Sequence, residues 1–315
     1  MSDSLAALRE QIDALYTQGR VKDVEPLLLE AVELTRQKCG EQDVAYAAML
    51  NDLASHYRET GQFPLAETNY LLAAKTIEQA IGREQADYAT TINNLAGLYR
   101  LMKEYSKSEA LFMEASQIYA QTVGQEHFLF ASVLNNCGLL YQDMGDQAQA
   151  AGFHERAIAI IRTLEDEEIS LATSLNNLAG PYRVLGKNRE AEALLQEALR
   201  IYERLVGKTH PLYASGLNNL AAYYSMTREY AQAEALYRQT LEICLQVYGQ
   251  ENQKYAAVIT NLGQVLEKTK RYQEALPCYT KAAEINRRLF QVEHPAYIRS
   301  MERINQLKRK INTGG

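Results

Sequence analysis

The chain has 315 residues, with 33 Lys and Arg against 39 Asp and Glu, a net charge of −6. No long run of one sign occurs, which argues against a general nucleic-acid surface, since that would need clustered Lys and Arg. No stretch of 18 apolar residues exists to cross a membrane, and six prolines with 17 glycines leave little room for long flexible linkers.

Taken in chain order, the first stretch, "MSDSLAALREQIDALY", is acidic and amphipathic. It lacks the basic start and apolar middle of a signal peptide. Residues 3–16 read as one helix and 15–42 as a second, together a degenerate first unit over 1–42. From 43 to 294 a phrase recurs six times: "AMLNDLASHYR", "TTINNLAGLYR", "SVLNNCGLLYQ", "TSLNNLAGPYR", "SGLNNLAAYYS" and "AVITNLGQVLE". The second residue of its polar pair falls at Asp52, Asn94, Asn136, Asn177, Asn219 and Asn261, in steps of 42, 42, 41, 42 and 42. A fixed period of this size marks a repeat architecture. Each unit reads as two helices. Ile92, Leu95, Ala96 and Tyr99 form one apolar stripe, and Ser108, Leu111, Phe112 and Ala115 form the next. Gly61, Gly145 and Gly186 suit the left-handed position that ends the first helix. Lys103, Arg228 and Lys270 take that place elsewhere. Gly82, Gly124, Gly207 and Gly249 stop the second helix. Pro211 and Pro295 suit a first helical turn. The single 41-residue step lies in "IRTLEDEEISLA". Pro181, inside a first helix, predicts a bend there. Residues 295–311 read as a capping helix and 312–315 as a disordered tail.

The order small–Leu–Asn–Asn–Leu–Ala–x–x–Tyr, then Gly–x–Tyr/Phe–x–x–Ala–Glu–x–Leu–Tyr, resembles the tetratricopeptide repeat. The 42-residue period and the "THP" and "EHP" junctions resemble its kinesin-light-chain-type subclass. The resemblance covers roughly residues 15–300. It implies an all-α fold: a single right-handed superhelical α-solenoid of antiparallel helix pairs over 1–315. With no heptad segment before the repeats, the chain is not expected to be a kinesin light chain itself.

Helix geometry separates the two asparagines. At ~100° per residue, Asn94 lies about 150° from the centre of the core stripe and Asn93 about 110° to its other side. In stacked helical hairpins the first helices line the concave face. Asn94, Asn136, Asn177, Asn219 and Asn261 are therefore expected along a groove, with Asn93, Asn135, Asn176 and Asn218 nearer the boundary between first helices. An Asn amide is both donor and acceptor, which suits a peptide backbone. The resemblance implies that role, and Asp52 departs from it. The bland alternative is that the pair ties neighbouring first helices together. Arg58, Arg100 and Arg183, flanking the groove, would favour acidic ligand groups, unless they are ordinary solvated or ion-paired residues.

The remaining reactive residues fit the repeat. Tyr57, Tyr99, Tyr141, Tyr182 and Tyr224 share a core position. His127, His210 and His294 mark junctions and suit capping. His154 replaces a core aromatic, and Cys137 replaces a core leucine. Cys39, Cys137, Cys244 and Cys278 are too scattered for a disulfide framework or a zinc site and read as reduced thiols in a cytoplasmic protein. No catalytic motif, metal or cofactor is expected. The expected function is a scaffold or adaptor holding an extended peptide segment of a partner protein, the chain itself a monomer. The alternatives are a sensor of a short free peptide and a self-assembling structural protein.

Overall fold

A computed structural model describes residues 2–17, 20–289 and 295–312. These form fifteen α-helices with no strand among the described residues. The chain divides into two compact units, one up to Glu167 and one from Glu168. The first holds α1 (Ser2–Thr17), a 3-10 turn (Val21–Asp23), α2 (Glu25–Cys39), α3 (Val44–Glu59), α4 (Phe63–Ile81), α5 (Ala86–Leu101), α6 (Tyr105–Thr122), α7 (Phe128–Met144) and α8 (Gln147–Ile161). The second holds α9 (Glu168–Val184), α10 (Asn188–Val206), α11 (Pro211–Met226), α12 (Tyr230–Tyr248), α13 (Gln253–Lys268), α14 (Tyr272–Leu289) and α15 (Pro295–Asn312). The division falls at the 41-residue step.

Within each unit the odd-numbered helices up to α13 pack antiparallel on the even-numbered helix that follows, each pair packs on the next, and α15 packs on α14. Odd helices also approach one another directly, α3 with α5, α5 with α7 and α11 with α13. Even helices make no comparable approach, so each unit curves with the odd helices on its inner face.

The stripes read from the sequence build the core by setting small residues against large ones. Ala54, Ala96, Gly138, Ala179, Ala221 and Gly263 recur on the odd helices, and Tyr70, Phe112, His154, Leu195, Tyr237 and Tyr279 on the even ones, all of these large side chains buried. Burying one such side chain contributes about 1.5–3 kcal/mol. Gly138 shows why size alternates: a Cβ there would stand 2.5 Å from the His154 ring. Ser108 is fully buried and its hydroxyl donates to the Ala96 carbonyl at 2.8 Å, tying α6 to α5.

The turns behave as their residues dictate. Lys103, Arg228 and Lys270 adopt φ of 64°, 70° and 61°, the left-handed conformation that Gly61 and Gly186 adopt elsewhere. Such a φ is unfavourable for a side-chain-bearing residue. Asp166 does the same, φ 63°, in the shortened junction that has lost its glycine. His127 and His210 cap α7 and α11, each ring Nδ1 accepting a backbone N–H, from Leu129 at 3.1 Å and Leu212 at 3.2 Å. His294 lies outside the described residues, as does the tail beyond Asn312. Pro181 is buried within α9, and the helix runs on past it to Val184. Pro277 is a second interior proline, in α14.

Candidate functional site

The asparagine pairs stand midway along the odd helices, where those helices come closest. They form rungs. Asn94 Nδ2 donates to Asn51 Oδ1 at 3.1 Å, and Asn136 Nδ2 to Asn93 Oδ1 at 3.0 Å. In the second unit Asn261 Nδ2 donates to Asn218 Oδ1 at 3.3 Å. The second asparagine of one repeat thus bonds the first of the repeat before it. Asn93 is buried, as its place near the helix boundary predicts, while Asn94, Asn136, Asn177 and Asn261 are half-buried on the inner face. The expected row of ligand-facing amides therefore doubles as a strap between odd helices. Each amide has a second N–H and a second lone pair beyond its rung.

Asn135 and Asn176 also bond side chains of the even helices. Asn135 Oδ1 is 3.0 Å from His154 Nδ1, and His154 Nε2 is 2.8 Å from Gln142 Nε2. The amide oxygen can only accept, so Nδ1 carries the proton and Nε2 accepts from Gln142. Burial alone pushes the His154 pKa down to about 4, so the ring is neutral. In the second unit Asn176 Nδ2 reaches the Tyr202 hydroxyl at 3.4 Å, and Asn219 is exposed on the inner face.

The flanking arginines are not a common set. Arg100 is ion-paired with Asp143 of the next odd helix at 2.6 Å. Arg58 reaches along the same face, its Nη1 3.4 Å from where a Cβ on Gly97 would sit. Arg183 is half-buried near the end of α9.

Recesses open along the odd helices. One of about 380 Å³ between α1, α2 and α3 is lined by Arg9, Asp13, Tyr16, Asp52 and Glu59. Desolvation lifts the Asp52 carboxyl above its ordinary range against the pull of Arg9. One of about 200 Å³ in the second unit includes Asn218 and Asn219. Another, about 580 Å³ between α13, α14 and α15, presents Asn261, Gln264, Asn286, Arg299, Glu302 and Arg303. The recess at the start of the first unit is thus the acidic one, whereas the flanking arginines had suggested a basic surface there. Sequence position alone did not show that Asp13 and Glu59 converge with Asp52. Next to the recess between α13, α14 and α15, Glu267 accepts from Lys310 at 2.8 Å and from Tyr279 at 3.2 Å. Burial opposes its ionisation, but Lys310 and Arg303 hold its pKa below the usual range.

A second recurring contact went unread in the sequence. The core tyrosines donate to a glutamate of the preceding even helix: Tyr57 to Glu25 at 3.2 Å, Tyr99 to Glu67 at 2.8 Å and Tyr224 to Glu192 at 2.7 Å, with Tyr141 bonded to Glu109 likewise. The separation is 32 residues every time. That constant spacing of Glu and Tyr was the available signal. The hydrogen bond to Glu109, together with burial, pushes Tyr141 up to about 12.

Among the described residues no group of three His, Cys, Asp or Glu gathers as a metal site would require. No helix among them is long and apolar enough to cross a membrane.

Paired helices in tandem with a shared inner face define an α-helical repeat protein. The family described as tetratricopeptide repeat matches residues 87–163, 170–246 and 255–311, and the chain belongs to it. Its repeats are of the kinesin-light-chain-like kind. The structure is similar to that of BtubC (BKLC) from P. vanneervenii, with a TM-score of 0.60 at 26% identity, over 75% of this chain and 93% of that one. It is also similar to a Podosopora anserina protein classed with the kinesin light chains and built of nearly identical TPR-like repeats. There the TM-score is 0.55 at 22% identity, over 66% and 99%. A Rap protein complexed with competence and sporulation factor has the same fold, with a TM-score of 0.64 at 18% identity, over 98% and 86%. No curated protein matches the sequence. Repeats of this family are generally protein-interaction scaffolds, and no catalytic family is indicated.

Proposed function

We propose that the chain is an adaptor that holds an extended peptide segment of a partner protein against the inner faces of its odd helices. The observation that carries this reading is the row of half-buried asparagine amides on those faces, with recesses of about 200 and 580 Å³ opening beside Asn219 and Asn261. An amide row matches the alternating N–H and C=O of an extended main chain. The recesses offer places for side chains. Their unlike charges, acidic beside Asp52 and mixed with two arginines beside Asn261, favour a ligand whose charged residues are spaced rather than uniformly acidic.

The test is selection of peptides from a display library on the full chain, followed by hydrogen exchange with the tightest binder. The expected result is slowed exchange in α5, α7, α9, α11 and α13. Slowing confined to the even helices would place the ligand on the outer face and end the groove reading.

A further inference from the structure

We propose that one rung of the asparagine ladder, between Asn176 on α9 and Asn219 on α11, is the point where a ligand's peptide group enters; this rests on the groove reading and narrows it to one place. Rungs are closed at Asn51–Asn94, Asn93–Asn136 and Asn218–Asn261. The corresponding bond from Asn219 to Asn176 is not made. Asn219 is exposed, and Asn176 Oδ1 is buried with no hydrogen-bond partner, the only such side-chain atom among the described residues.

The orientation of the Asn176 amide follows from its neighbours. Thr173 donates its hydroxyl to the Ile169 carbonyl at 3.0 Å, so its oxygen accepts from Tyr202, 3.1 Å away. The Tyr202 oxygen then accepts from Asn176 Nδ2. The nitrogen is committed to that chain, and the oxygen is what the open rung leaves without a donor. The gap coincides with a difference in the backbone. The helices α9 and α11 approach each other less than α3 and α5, α5 and α7, or α11 and α13 do, and α9 carries a proline, Pro181, in its interior.

A buried acceptor without a donor is a standing penalty, relieved by any group that brings an N–H. Across the gap, Asn219 offers its own N–H and oxygen. One secondary amide meets both demands, its N–H going to Asn176 Oδ1 and its C=O accepting from Asn219 Nδ2. A peptide unit of an extended chain is such a group. The Asn176 oxygen lies beneath the surface, so its bond forms only as the amide enters. Beside Asn219 the 200 Å³ recess, walled by Ala214, Cys244, Tyr248 and Val258, has room for the neighbouring apolar side chain.

Two measurements on the full chain test this. In the first, the chain is labelled with ¹⁵N-asparagine and titrated with N-methylacetamide, then with N,N-dimethylacetamide, which accepts but cannot donate. The side-chain amide signals of Asn176 and Asn219 are expected to shift with the first compound and much less with the second, while those of Asn94, Asn136 and Asn261 shift clearly less than these. Equal shifts with both compounds, or equal shifts at closed rungs, would overturn the proposal. In the second, Asn219→Ala is expected to weaken library-selected peptides about tenfold, the effect of losing a hydrogen bond to a ligand, with Tm unchanged because its side chain bonds nothing in the fold. Undiminished binding by that variant sinks the open rung and leaves the groove reading standing. If no peptide is enriched, the groove reading fails, and the amide titration alone decides the rung.

Discussion

Gly138 and His154 behave as a single unit. The imidazole occupies the space a Cβ on Gly138 would need, 2.5 Å away. Gly138→Ala, the residue four of the other five repeats carry there, should therefore destabilise the fold by about 1–3 kcal/mol through overpacking, read as a lower midpoint in urea. Adding His154→Leu reproduces the Ala179 and Leu195 combination and should recover part of the loss, but not the bonds to Asn135 and Gln142. The same histidine makes stability depend on pH. His154 titrates near 4 in the fold and near 6.5 when unfolded. Between those values the unfolded chain binds the extra proton, so stability is full above 6.5 and declines as pH falls toward 4. The decline attributable to His154 is about 3 kcal/mol. His56 is buried beside Tyr16 and its pKa is also lowered, by burial, so it acts in the same direction. Urea melts at pH 7 and pH 4.5 should differ less for His154→Leu than for the parent chain; an unchanged difference would contradict the assignment.

At the scale of the element, two rules join one repeat to the next. One is the asparagine rung on the inner face, the other the Tyr–Glu bond between an even helix and the odd helix that follows it. A tyrosine hydroxyl bonded to a carboxylate is a charge-assisted pair, stronger than a neutral one. A double-mutant cycle on Tyr99→Phe and Glu67→Gln should show a coupling of about 1–2 kcal/mol; a coupling near zero would reduce the contact to incidental proximity. Asn136→Ala leaves the buried Asn93 oxygen without its donor and should cost about 1–3 kcal/mol, measured by thermal or urea unfolding. Asn219→Ala, outside any rung, should be neutral in the same measurement. That contrast separates strap from ligand contact among residues that look identical in the sequence.

At the scale of the molecule, within each unit a pair of helices touches only its neighbours in the chain, so the stability of a unit is a sum over repeats and their interfaces. The division at Glu167 and Glu168 coincides with the step that lost a residue and its glycine. Residues 1–167 and 168–315 contain several stacked pairs each. Produced separately, both should give helical circular dichroism and a cooperative melt. A fragment with the spectrum of an unfolded chain would mean that the boundary is not one of independent stability.

The periodicity of Ile92, Leu95, Ala96 and Tyr99 and of its five copies determined the helices, their pairing and the core, because burial of an amphipathic stripe is set by local spacing. The turn residues followed for the same reason: a glycine, or a lysine or arginine forced into the glycine conformation, follows α3, α5, α7, α9, α11 and α13. The caps His127 and His210 were legible because a cap is contacted by its own neighbours. What the repeated letters could not determine was how the amides are used. Whether Asn94 bonds Asn51 while Asn219 bonds nothing depends on the spacing of helices some 42 residues apart. The 32-residue Tyr–Glu pairing and the convergence of Asp13, Asp52 and Glu59 are likewise products of stacking. Sequence specifies contacts within a helix turn; only the tertiary structure decides which equivalent side chains meet, because small differences in backbone separation make or break a hydrogen bond.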